Sequence, residues 1–202
     1  GNTVVYKPAS ATPLSAVKLV EIFEEAGLPS GVLNFLTGPG GSVGNTLVED
    51  SRVVGISFTG SSEDGTAITA RGSELLKKMQ CEMGGKNAII VDTSADLDEA
   101  VLGVRDSAFN FQGQKCSACS RVIVVGTAYQ PFVDRLCPSV ETLTIGNPVR
   151  PGTDIGPVID EEAAAKIRQY IDIGREEGTL AATISVPDGL EAEVGLPFVA
   201  PH

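Results

Sequence analysis

Two cysteines three positions apart, Cys116 and Cys119 in NFQGQKCSACSR, and a glutamate ahead of a glycine pair, Glu82 in CEMGGKN, are the side chains with the most chemistry to offer. A C-x-x-C pair can be a redox couple, half of a metal site, or a nucleophile with an incidental neighbour. A redox couple normally opens a helix after a strand, whereas this pair follows a helical pattern and a glycine. A structural zinc would need two further ligands, but Cys81 and Cys137 stand apart and the only histidine is His202. No metal is expected. A nucleophile remains: Cys116, with Lys115 as a nearby cation favouring the thiolate, and Cys119 as a buried structural thiol. Without a histidine to pair with inside this chain, the thiol suits a substrate that is already electrophilic, such as an aldehyde.

Glu82 ends an apolar strand pattern. Half buried there, it would hold its proton nearer neutrality, as a general base requires; a solvated strand-end glutamate is the simpler alternative. Two glycine-bearing strand–helix junctions come earlier. LTGPGGSVG places Gly38, Gly40, Gly41 and Gly44 where a dinucleotide lays its phosphates in a doubly wound sheet, although Val43 breaks the G-x-G-x-x-G spacing and a plain tight turn accounts for it equally. FTGSSEDG repeats the arrangement with Gly60 and Ser61. Phosphate contact is one reading of it; a helix cap explains Ser61 or Ser62 but not Gly60.

The elements needed to position these residues alternate along the chain. NTVVYK, GVLNFLTG, VVGISFTG, KKMQCEMGG, NAIIVD and SRVIVVG have strand character. Helices are expected from Thr12-Pro13 to Gly27, with Leu14, Val17, Val20 or Glu21, and Phe23 as its stripe, and over 41–50, 61–76, from beyond VDTSADLDEAV toward Phe109, 128–136 and 161–178. The Pro- and Gly-rich 145–160 segment is expected as an extended loop, and the last 24 residues as short strands and turns. Strand–helix alternation implies an α/β fold with parallel strands covered on both faces.

Among 202 residues, 42% are hydrophobic and 20% charged, and the net charge is −11. That charge argues against a nucleic-acid backbone or an anionic membrane as partner, and no apolar run is long enough to cross a bilayer. Four cysteines with no secretory pattern fit a reducing, cytoplasmic setting. The chain starts without Met inside a strand pattern and stops inside another, as an excised piece of a longer protein would.

KPAS, GPGGSVG, FTGSSEDG, EMGGKN and GQKCSA occur in the order and spacing of the aldehyde dehydrogenase superfamily, and the 34-residue step from Glu82 to Cys116 fits its glutamate-to-cysteine interval. FQGQKCSACSR is most similar to the Δ1-pyrroline-5-carboxylate (L-glutamate γ-semialdehyde) dehydrogenases, found alone or within bifunctional proline-utilisation proteins. The resemblance implies that Cys116 attacks the aldehyde, that hydride passes to NAD, and that Glu82 activates the water that hydrolyses the thioester. It also implies cofactor contacts: Lys7 with the adenine ribose, Gly40 and Gly44 with the adenine and its ribose, Gly60 and Ser61 with the pyrophosphate, and Phe58 beside the nicotinamide. Ser10 stands where many NAD-preferring relatives carry a glutamate, so NADP use is open. Lys115 and Ser117 resemble anchors for the carboxylate end of the substrate.

By the same resemblance, residues 1–84 correspond to the second half of a Rossmann-like NAD-binding domain and 85–202 to the first part of the α/β catalytic domain. The oxyanion-stabilising asparagine would precede residue 1. The E-x-F-G-P segment and the tail that builds a homo-oligomer would follow residue 202. The 202 residues alone are therefore expected to be inactive and prone to associate. Another semialdehyde dehydrogenase, of the succinate-semialdehyde type, and a non-catalytic binding remnant are the competing readings.

Overall fold

The computed structural model describes residues 1–202, and the chain divides into two compact units, Gly1–Met83 and Gly84–His202. The first unit holds β1 (Val4–Tyr6), α1 (Pro13–Glu25), β2 (Leu33–Phe35), a π-type turn at Gly40–Gly44, α2 (Asn45–Glu49), β3 (Gly55–Gly60), α3 (Ser62–Glu74) and β4 (Lys78–Met83). The second holds β5 (Asn87–Val91), α4 (Leu97–Phe109), β6 (Cys119–Val124), α5 (Tyr129–Glu141), α6 (Glu161–Glu177) and α7 (Leu190–Val194). Every ladder is parallel, β1 with β2, β3 with β4 and β5 with β6, each joined through an intervening helix. This is the expected α/β alternation, resolved into separate two-stranded pairs.

In the first unit, Tyr6 and Phe35 face each other in register and meet edge to face, with ring centroids 6.1 Å apart. Pro13 opens α1 and Gly27, at a φ of 86°, turns the chain after it. The expected apolar stripe is only partly used: Ala16 is the buried residue, while Leu14 and Phe23 remain exposed. Ser61 caps α3 by accepting from the Asp64 backbone N–H at 3.0 Å.

The second unit carries the larger cores. Val91 of β5, Val101 and Val104 of α4 and Phe132 of α5 form one, with Ile89, Val122 and Val124 against it. Ile145, Ile155, Leu190 and Phe198 form another, so the 145–160 loop is pinned by its own apolar residues and by an isolated parallel bridge, Ile145 to Ile155. Asp96 caps α4 through the Asp98 and Glu99 N–H groups, and Asp160 caps α6 through the Ala163 N–H.

The structure corrects three expectations. The 128–136 helix runs on through Pro138 to Glu141, because Val140 is buried on its far turn. The helix expected beyond VDTSADLDEAV begins within it, at Leu97, because Asp96 caps it there. The last 24 residues contain no strand, only α7 between Gly189 and Gly195, both left-handed. No helix is long and apolar enough to cross a membrane.

Candidate active site

The Cys116 segment follows directly from the end of α4. Phe111 (φ 54°, ψ 33°), Gln112 (φ 56°, ψ 30°) and Gly113 (φ 66°) are left-handed in succession. For a residue with a Cβ this costs about 1–2 kcal/mol, so the turn has to be held from outside. At Gly113 the demand is double, since a Cβ there would lie 2.9 Å from the Ala108 carbonyl. Gln112 supplies one tie: oriented for hydrogen bonding, its Oε1 accepts from the Gly156 N–H at 2.6 Å and its Nε2 donates to the Phe111 carbonyl at 3.1 Å. This links the turn to the 145–160 loop.

The chain then makes a second turn, with the Ala118 N–H donating to the Lys115 carbonyl at 3.2 Å, before entering β6. Burial separates the two cysteines of the C-x-x-C. Cys116 is exposed on the turn. Cys119 is buried as the first residue of β6, its Sγ 3.2 Å from the Arg121 carbonyl and its N–H donating to Ser107 Oγ at 3.1 Å. Lys115 and Ser117 are both exposed beside Cys116, and the Lys115 ammonium sits 4.5 Å above the Phe111 ring. No three His, Cys, Asp or Glu side chains gather as a metal ion would require.

One residue of this loop's support was missed in the sequence. Asn87, two places after the glycine pair, donates from its Nδ2 to the Cys116 carbonyl at 2.7 Å and to the Ala118 carbonyl at 3.3 Å. An asparagine opening a strand just after a Gly-Gly turn was the available signal.

Glu82 lies at the carboxyl end of β4, opposite Thr59 of β3. It is exposed, as the solvated strand-end alternative has it. The strand period explains this: Met79 and Cys81 turn inward, so Gln80 and Glu82 fall on the open face. The same end of the ladder carries Phe58, Gly60 and Ser61. A Cβ on Gly60 would come within 2.5 Å of the Phe58 ring, so the half-buried ring fills the space that Gly60 leaves bare. Ser61 Oγ is engaged twice with Asp64, accepting from its N–H and donating to its Oδ2 at 2.8 Å. At this junction only backbone remains to meet a phosphate. Gly60→Ala should therefore destabilise the unit by about 1–3 kcal/mol through displacement of Phe58. The urea midpoint of the full-length protein reads this, with Gly41→Ala, whose Cβ would meet nothing within 4 Å, as the neutral comparison.

At the other ladder, Lys7 follows β1 and the glycine turn follows β2. Val43 packs its side chain against the bare face of Gly38, which is why valine stands where the dinucleotide fingerprint has glycine. Gly40 is open to solvent on its Cβ side, and the nearest atom to a Cβ on Gly44 is Lys7 Cε at 3.9 Å. An adenosine moiety thus has uncovered glycine backbone with a lysine stem beside it, an arrangement that fits the expected cofactor. Lys7 Nζ donates to the Pro8 carbonyl at 2.8 Å, and Ser10 lies exposed in the next turn.

Residues 1–196 match the aldehyde dehydrogenase family. The 1-pyrroline-5-carboxylate dehydrogenase of Geobacillus kaustophilus is 50% identical over 186 residues, covering 89% of this chain and 36% of the relative. A crystal structure of proline utilization A from Bdellovibrio bacteriovorus, inactivated by N-propargylglycine, superposes with a TM-score of 0.88 at 45% identity, covering 94% of this chain and 20% of that one. A Thermus 1-pyrroline-5-carboxylate dehydrogenase with bound NAD gives a TM-score of 0.86 at 44% identity, covering 94% of this chain and 38% of that one. The chain thus spans little more than a third of the length of the curated relatives it matches. By its match over residues 1–196, the chain belongs to the aldehyde dehydrogenase family.

Proposed function

We propose that these residues are the central part of a longer NAD(P)-dependent dehydrogenase that oxidises L-glutamate γ-semialdehyde, the open form of Δ1-pyrroline-5-carboxylate, to glutamate. The observation that carries the reading is the contrast between an exposed Cys116 on a braced turn and its buried neighbour Cys119. Similarity to pyrroline-carboxylate dehydrogenases over most of the chain supports the substrate class.

In this reading the Cys116 thiolate attacks the aldehyde carbon; a C–S bond forms and the carbonyl oxygen becomes an alkoxide. Bound NAD(P)⁺ supplies the oxidation by accepting the hydride released when that carbonyl re-forms as a thioester. Glu82 then takes a proton from water, the resulting hydroxide adds to the thioester carbonyl, and the C–S bond breaks to return the Cys116 thiolate. Lys115 and Ser117 hold the substrate's carboxylate, with Phe111 beneath the Lys115 ammonium. Residues 1–84 would belong to the cofactor domain, with Lys7, Gly40 and Gly44 at the adenosine end, the Gly60–Ser61 backbone at the pyrophosphate and Phe58 at the nicotinamide. Residues 85–202 would belong to the catalytic domain. Ser10, in place of an acid, leaves room for either NAD or NADP. The full-length enzyme would be a cytoplasmic homo-oligomer, with all four cysteines as free thiols.

The test is an aldehyde panel on the full-length parent with NAD⁺ and NADP⁺. The expected result is a kcat/KM for glutamate γ-semialdehyde about 10-fold or more above that for succinate semialdehyde, because the latter is one carbon shorter and, held by its carboxylate at Lys115 and Ser117, would leave its aldehyde out of place for Cys116. A preference for succinate semialdehyde overturns the substrate assignment, and no turnover of any aldehyde overturns the enzyme reading.

A further inference from the structure

The β5–β6 ladder loses its regular register at the mouth of the Cys116 turn. Asn87 pairs with Cys119, but the next residue, Ala88, pairs with Arg121, so Ser120 is an extra residue on β6. Backbone pairing therefore stops short of the turn, and the carbonyls of Cys116 and Ala118 take their hydrogen bonds from the Asn87 side chain, at 2.7 and 3.3 Å. A Cβ on Gly85 would stand 3.4 Å from both the Cys116 carbonyl oxygen and Asn87 Oδ1, in ordinary van der Waals contact with the bonded pair.

We infer that Asn87 is a positioning residue for the nucleophile: its carboxamide clamps the peptide carbonyls on either side of Ser117 and so fixes the direction in which the Cys116 thiol leaves the turn. This rests on the proposed role of Cys116. The chemistry favours a clamp over a direct part in the reaction, because both amide hydrogens are already directed at backbone acceptors. Displacing a nucleophile by about an ångström is enough to cost on the order of 10²-fold in rate, whereas binding of the cofactor, whose proposed contacts lie in residues 1–84, is little affected.

The experiment compares Asn87→Ala and Asn87→Asp with the parent in the full-length dehydrogenase. Steady-state kinetics with glutamate γ-semialdehyde and NAD⁺ are read beside hydrogen–deuterium exchange of the Ala118 amide, which closes the turn. Asn87→Ala should lower kcat by about 10- to 100-fold with KM for NAD⁺ within about threefold, and exchange at Ala118 should accelerate while the β5–β6 amides stay protected. Asn87→Asp keeps the shape but sets a carboxylate against the two carbonyl oxygens, so its kcat should fall at least as far; it carries the test alone where Asn87→Ala fails to fold. Parent-like kcat in the folded variants, or unchanged exchange at Ala118, overturns the inference. A Cys116→Ala enzyme with parent turnover would sink the functional reading instead, and faster exchange in Asn87→Ala would then still support the clamp itself.

Discussion

Cys116→Ala in the full-length dehydrogenase should reduce NAD(P)-dependent aldehyde oxidation by about 10⁴-fold or more, the scale seen when an essential nucleophile is removed. Without the thiolate no C–S bond forms, and there is no thiohemiacetal alkoxide from which hydride can leave. The loss should appear in the first turnover: stopped-flow absorbance of reduced cofactor would show no burst, while binding of the oxidised cofactor stays within about twofold because the variant leaves its contacts alone. Cys119→Ala is the informative partner. Cys119 is buried and bonded within β6, so its loss should lower the thermal midpoint and leave the burst intact. A burst abolished by Cys119→Ala but kept in Cys116→Ala would reverse the assignment of the two thiols.

Glu82→Gln should behave differently in kind. If the carboxylate acts on the water that cleaves the thioester, capture and oxidation go ahead and only release is impaired. A full burst of reduced cofactor should be followed by turnover slowed about 10²- to 10⁴-fold, the usual span for a lost general base. The acyl group should then accumulate on the Cys116 peptide, where intact-mass measurement finds it. Glu82 lies on the open face of β4, so replacement by the isosteric amide should not disturb the strand. A missing burst with no trapped acyl group would place the glutamate earlier in the reaction, or outside it.

Much of the scaffold was legible because its boundaries are written in local chemistry. Thr12-Pro13 announces the start of α1 by supplying a fixed φ, and Gly27 its end. The strands were legible from runs of β-branched residues. Cys119 was expected to be a buried structural thiol, and as the first residue of β6 it is buried. For Glu82 the solvated strand-end reading holds, because the phase of the strand, not its composition, sets its exposure. Where the reading failed, the deciding interaction was distant in sequence. Phe111 and Gln112 carry none of the glycine or asparagine signature of a left-handed turn; they hold that conformation because Gln112 reaches Gly156. Asn87 bonds a loop that begins beyond α4. Gly60, which a cap could not explain, is accounted for by the ring of Phe58.

The three parallel ladders each close within one unit, β1–β2 and β3–β4 before Met83 and β5–β6 after Gly84. Parallel pairing is slow because a crossover must be gathered in before any bond is gained. Here every crossover is a single helix and its loops, so none of these pairings waits for a distant part of the chain. On the ribosome, the β3–β4 ladder can complete once residue 83 has cleared the exit tunnel, before the nucleophile turn has emerged from it. The thiol-bearing turn is then built on a β5–β6 pair that assembles afterwards, with Cys119, the residue that follows the turn, entering the ladder opposite Asn87.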